Sequence, residues 1–240
     1  MTTFTASRVL DPRSFPTAFE TEEALEDFLA TPSQDLIDDL ARVEGDLLIL
    51  GVGGKMGPTL ARLARNAMAP GRRVIAVARF SEAGTREMLQ AHGIETIACD
   101  LLDAAALARL PQCPNVIFMA GRKFGGSSDF PLTWAMNAHV PALVAQTFKS
   151  SRIVAFSTAC VYPFVPVNGQ GAAEDTPPDP PGEYANSCVG RERMFEYFSR
   201  EHGTPGRLFR LSYAIVLPYG VLARVASKVW RGDAAEVAVG

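Results

Sequence analysis

The chain has 240 residues, 48% of them apolar and 20% charged, with a formal net charge of −3. That length can bury a sizeable core, and the composition is that of a globular protein. The slight negative charge gives no general attraction to nucleic acid or anionic lipid, and no apolar run approaches the length of a membrane span. The opening stretch MTTFTASRVLDPRSFPTAFE lacks the basic start and apolar core of a signal peptide, so a cytoplasmic location is expected. Cys99, Cys113, Cys160 and Cys188 include no C-x-x-C pair and have no histidine at ligand spacing. Buried thiols are expected of them, with no metal site and no disulfide framework.

Residues 1–45 read as an appendage. TEEALEDFLA and SQDLIDDLARV are acidic and amphipathic with a helical period, and Ser33 is placed to cap the second. From residue 46 the pattern becomes strand, helix, strand. DLLILG (46–51) is a strand, KMGPTLARLARNAM a helix, and RRVIAVAR (72–79) a second strand followed by a helix near 81–92. IETIAC (94–99) is the third strand, DAAALARL a short helix, and NVIFMAG (115–121) the fourth strand. A long helix covers about 131–149, and RIVAFST (152–158) is the fifth strand. A proline-rich loop leads to the helix of Tyr184, and RLFRLSYAIV (207–216) is the sixth strand. The strands are near-continuous apolar runs, as in a parallel sheet covered on both faces. Alternating βα units predict an α/β fold of the doubly wound, Rossmann type over residues 46–217.

ILGVGGKMGPTLARLA sets Gly51, Gly54 and Gly57 at G-x-x-G-x-x-G spacing, directly after the first strand and opening the first helix. Gly51 allows a tight turn, Gly54 lets the backbone approach a pyrophosphate, and Gly57 lets helix and strand pack closely. Lys55 and Met56 belong to the same loop. The second strand ends in AVARF without a carboxylate for ribose hydroxyls; Arg79 stands there instead. A guanidinium suits a 2′-phosphate and points to NADP ahead of NAD, the alternative being a solvated arginine on the adenine face. Asp100, with Leu101 beside it, follows the third strand; it accepts from an adenine amino group or caps the next helix.

With these motifs and Tyr184 in place, the chain resembles the extended short-chain dehydrogenase/reductases, the NAD-dependent epimerase/dehydratases. AFSTACVYP, WAMNAHVPALV, EDTPPDPPGEYANSC and RLFRLSYAIVLPYG carry the resemblance, in the family's order and over residues 46 to about 220. It implies that Thr158 polarises the reacting oxygen, Tyr184 is the acid/base and Asn137 is the structural asparagine. Ala120 and Gly121 would lie against the cofactor ribose. The implied chemistry is hydride transfer on a sugar-like or other small carbonyl or hydroxyl substrate. Tyr162 would be a pocket wall.

Cys188 stands where the family's Tyr-x-x-x-Lys has lysine. An ammonium lowers the phenol pKa from about 10, and a neutral thiol does not. Lys123, in AGRKFGG after the fourth strand, is the preferred substitute, since it would enter the pocket from the loop side. Arg191, about 10 Å along the helix from Tyr184, is the other. The alternative reading is a catalytically impaired dinucleotide-binding sensor or scaffold. Family members continue past the sixth strand into a substrate domain, so residues 218–240 are expected to be a remnant of it. The surface left open would favour a homodimer.

Overall fold

The computed structural model describes residues 9–123, 129–212 and 221–234. Six strands form one parallel sheet in the order β3-β2-β1-β4-β5-β6. They are β1 Leu47–Leu50, β2 Val74–Ala78, β3 Glu95–Ala98, β4 Asn115–Phe118, β5 Arg152–Thr158 and β6 Gly206–Leu211. Leu47 pairs with Val74 on one side and with Asn115 on the other. The chain runs outward from β1 to β3 and returns to lay β4 on the other flank. This reversal opens a crevice beyond the carboxyl ends of β1 and β4, where ligands bind in open α/β sheets.

The strand sequences explain the layers. β1 and β2 are buried along their whole length, because helices cover both faces of the sheet. Successive residues point to opposite faces. Leu48 and Leu50 join Ile75, Val77, Phe118 and Phe148 in one core. Leu47 and Ile49 join Val74, Ala76, Ala61 and Leu89 in the other. Each fully buried leucine or isoleucine contributes roughly 1.5–3 kcal/mol.

The N-terminal extension forms α1 (Glu22–Leu29) and α2 (Gln34–Ala41), and Ser33 caps α2 by accepting the Leu36 N–H. It is anchored on α3 (Gly57–Ala67): Arg62 pairs with Asp27, and Thr59 donates to Glu26 at 2.6 Å. The next helices are α4 (Thr85–Ala91) and α5 (Ala104–Ala108). Asp103, not Asp100, caps α5 by accepting the Ala106 N–H. Of the cysteines, Cys99, Cys113 and Cys188 are buried as expected, but Cys160 is exposed, because it lies on a turn beyond the end of β5.

The long helix is not uniform. α6 (Phe130–Trp134) passes through a π turn at Ala135–His139 into α7 (Val140–Thr147). Pro141 explains the change. It has no N–H to give to the Asn137 carbonyl four residues back, and its ring would clash there. α8 (Glu183–His202) ends in Gly203 with a left-handed backbone. The chain divides into two compact units, residues 1–210 and 211–240. The second contains the amphipathic helix α9 (Val221–Arg231). The expected continuation of the sixth strand to residue 216 runs into residues 213–220, outside the described residues. Among the described residues no helix is long and apolar enough to cross a membrane, and no cluster could hold a metal ion.

Candidate active site

The three motif glycines do two different jobs. Gly51 has φ of 91°, and a Cβ on it would fall 2.4 Å from the Ala120 nitrogen. A Cβ on Gly57 would fall 2.0 Å from the Val52 carbonyl oxygen. Both close the protein's own packing. Nothing lies within 4 Å of a Cβ on Gly54, so the chain there faces open space. α3 then starts without a capping side chain and without an acid in its first turn. Of the first amides of α3, Pro58 has none and the Gly57 N–H is held by the Gly54 carbonyl at 3.3 Å. It is therefore the open turn at Gly54, at the positive end of the helix, that fits a dinucleotide diphosphate.

The crevice beside this loop has a volume of about 260 Å³. Of the expected cofactor residues it brings together Gly51, Gly54, Arg79, Asp100, Leu101, Ala120 and Gly121. Lys55, Met56, Gly57 and Tyr184 are not among its lining residues; Met56 is the N-cap that precedes α3. Sequence reasoning missed Phe80, Ser81, Glu82 and Thr85, which form the wall after β2. Their signal was faint: a short polar segment, with Phe80 turned by a positive φ of 52°. Asp100 Oδ1 also accepts the Leu102 N–H at 3.0 Å.

A second group of residues lies around α8, which packs across β5 and the turn after it. Thr158 ends β5, and its Oγ1 accepts the Cys160 N–H at 3.2 Å. Tyr184 is half-buried in the first turn of α8, with Cys188 one helical turn on. Burial pushes the Tyr184 phenol well above its ordinary range, Cys188 adds to the rise, and the charge of Arg191 pulls against it. Burial also raises the Cys188 thiol, again against Arg191. At neutral pH the pair is therefore a phenol and a thiol, both uncharged.

Asn137 sits in the π turn and is fully buried. Its Oδ1 accepts the Arg122 N–H at 2.8 Å, and its Nδ2 donates to the Arg122 carbonyl at 2.8 Å and to Ser187 Oγ at 2.9 Å. It thus pins the segment leaving β4 to the first turns of α8. Lys123 is exposed, just before residues 124–128. Arg191 is 7% exposed and donates to the Phe156 carbonyl at 2.8 Å and to Asn137 Oδ1 at 2.9 Å.

A bare glycine loop, an open crevice and a tyrosine on the helix after β5 are the parts of one known architecture. The model of the NAD dependent epimerase/dehydratase family matches residues 47–230.

The chain belongs to this family. No curated protein sequence matches it significantly. Among solved structures it is similar to the UDP-glucuronic acid 4-epimerase of Bacillus cereus in complex with NAD, at 17% identity and a TM-score of 0.62 over 78% of this chain. It is also similar to the Bordetella bronchiseptica enzyme WbmG in complex with NAD and UDP, at 21% identity and a TM-score of 0.66 over 80% of this chain and 61% of that one. The enzyme WbmH of the same organism, in complex with NAD+, is 25% identical with a TM-score of 0.64, over 79% of this chain and 63% of that one. The chain spans 64% of the length of the Bacillus epimerase. Within this epimerase/dehydratase fold, Cys188 occupies the fourth position after Tyr184, one helical turn on.

Proposed function

We propose that the chain binds a nicotinamide dinucleotide over Gly54 and acts with it on a sugar-like carbonyl or hydroxyl substrate. The observation that carries this reading is the open space over Gly54, set between the bare start of α3 and the walls after β2 and β4. Gly51, Gly54, Ala120 and Gly121 would hold the cofactor, which when bound accepts or supplies a hydride. Lys55 and Met56 would shape the loop beside it, and Asp100 and Leu101 the adenine end. Arg79 offers forked, charged donors to a 2′-phosphate, and this favours NADP. A second cofactor reading has its own support, because Glu82 lines the same wall and a carboxylate there suits the free ribose hydroxyls of NAD.

The chain's own groups supply the proton chemistry. Tyr184, neutral at pH 7, gives its proton to a substrate oxygen as charge develops on it. Thr158 steadies that oxygen with its hydroxyl, and Asn137 holds the strand end and helix in register. A cation from Lys123 or Arg191 offsets the phenolate left behind. Similar structures that hold NAD, one of them with UDP, support a nucleotide-sugar substrate. The exposed Phe130 and Trp134 of α6 and Tyr197 of α8 support a homodimer through these helices.

A second reading, a dinucleotide-binding sensor or scaffold without turnover, is favoured by the uncharged Tyr184–Cys188 pair. The two separate on one assay. UDP-sugars and simple carbonyl compounds are incubated with NAD(P)H or NAD(P)+, for the natural chain and for Tyr184→Phe. They are followed both at the nicotinamide absorbance and by chromatography of the products, since an epimerisation or dehydration returns its hydride and leaves the absorbance unchanged. The enzyme reading expects turnover that falls at least about a hundredfold in Tyr184→Phe, the usual worth of a general acid. Nucleotide binding with no turnover on any substrate leaves the sensor.

A further inference from the structure

The reading of Tyr184 as the proton-transfer residue leaves a gap, since a thiol stands where the family has its ammonium. We propose that Arg191 fills it: its buried guanidinium, threaded between β5 and Asn137 beneath Gly121, is the positioning charge of the Tyr184 site. The inference rests on that reading of Tyr184.

Four observations converge. First, residues 184, 188 and 191 share one face of α8, so Arg191 lies behind Cys188 on the side that packs on the sheet. Second, the guanidinium is fixed. One terminal nitrogen donates to the Phe156 carbonyl at 2.8 Å, two residues before Thr158, and the other to Asn137 Oδ1 at 2.9 Å. The plane lies over the Phe118 ring, 5.8 Å from its centre.

Third, the charge has no counter-ion among the described residues: no ion pair there includes Arg191. Its neighbour Glu192 is taken by Arg210 and Ser157, and Arg191 Nε is buried without a hydrogen-bond partner. A buried cation without a counter-ion is costly, and its field is correspondingly strong on nearby groups. Fourth, space has been made for it. A Cβ on Gly121 would stand 2.3 Å from the Arg191 terminal nitrogen. A lysine at 188 would put a second cation into the same buried place; a thiol does not.

The guanidinium also reaches Tyr184 through polar contacts. Asn137 Oδ1 is filled by Arg191 and the Arg122 N–H, so its Nδ2 must face Ser187 Oγ, which donates to the Tyr184 carbonyl at 2.6 Å. The titratable side chains that act on Tyr184 are Cys188 and Arg191 on α8 and Cys160 on the turn after β5. Of these, Arg191 is the one that favours the phenolate.

The test replaces Tyr184 in the full chain by 3,5-difluorotyrosine, whose phenol ionises at lower pH, and follows ionisation by fluorine NMR without cofactor or substrate. Arg191→Met is expected to raise the midpoint by about one unit or more, Arg191→Lys by less, and Lys123→Met not at all. A folded Arg191→Met with an unchanged midpoint overturns the proposal, and so does a rise confined to Lys123→Met. If Arg191→Met does not fold, Gly121→Ala, whose methyl crowds the guanidinium, is read the same way: a raised midpoint supports and an unchanged one overturns. Since no nucleotide is present, failure of the cofactor reading leaves this result intact, and the converse also holds.

Discussion

The buried carboxylate of Glu192 holds Arg210 through two nitrogens, at 3.0 and 2.8 Å, while accepting Ser157 Oγ at 2.5 Å. The pair ties α8 to β6. Arg210 extends it to the Tyr162 hydroxyl and the Glu174 carbonyl, each at 3.0 Å. It therefore holds down the loop between β5 and α8 as well. Removing one partner leaves the other charge buried, which costs about 3 kcal/mol or more. Glu192→Gln and Arg210→Met are each expected to lose that much in urea denaturation. The double variant should recover part of it, and the single variants should speed hydrogen exchange in the loop over residues 162–182. A loss below about 1 kcal/mol in both single variants would contradict the assignment.

Gly54 and Gly57 should respond in opposite ways to the same added methyl. Gly57→Ala drives a Cβ against the Val52 carbonyl, so the fold loses about 2 kcal/mol or more. Gly54→Ala meets nothing and should change stability by less than about 0.5 kcal/mol, yet weaken nucleotide binding. Thermal unfolding and nucleotide titration of both variants check this.

Alkaline pH should unfold this protein sooner than its net charge suggests. Tyr184, Cys188, Cys99 and Cys113 all have folded pKa values raised by burial. Above the unfolded thiol value of about 8.5 and the phenol value of about 10, the unfolded chain binds fewer protons than the folded one. Stability is then fully present below those values and falls as pH rises through them. Tyr184→Phe should flatten the decline above about pH 10, measured by urea midpoints from neutral to alkaline pH. An unchanged slope would place Tyr184 in a more open setting than described.

Arg79 should sort the two cofactors. Arg79→Ala is expected to weaken NADPH by about tenfold, the worth of a charge-assisted contact of roughly 1.4 kcal/mol, and to leave NADH nearly unchanged. Glu82→Gln should do the reverse if the carboxylate holds ribose hydroxyls. Fluorescence titration of the four combinations decides.

The sheet was legible because its evidence is local. Buried parallel strands such as LLIL and VIAVA must be apolar throughout, and the glycine spacing marks where the first strand turns. The π turn was also written in the sequence, in Pro141 four residues after Asn137, but a helical period masks one extra residue per turn. The wall after β2 was not legible. Phe80, Ser81, Glu82 and Thr85 face the crevice through loop geometry, which has no period. Nor was the burial of Arg191: it depends on Gly121 and Asn137 from distant parts of the chain, and on Glu192 being occupied elsewhere.

Calorimetric titration of the full chain with NADH and NADPH is the most direct test. Saturable uptake of at least one of them is predicted, at one nucleotide per chain and weakened in Gly54→Ala at unchanged melting temperature. Heat from neither nucleotide, or equal binding by the natural chain and the Gly54 variant, would contradict a dinucleotide seated over that glycine.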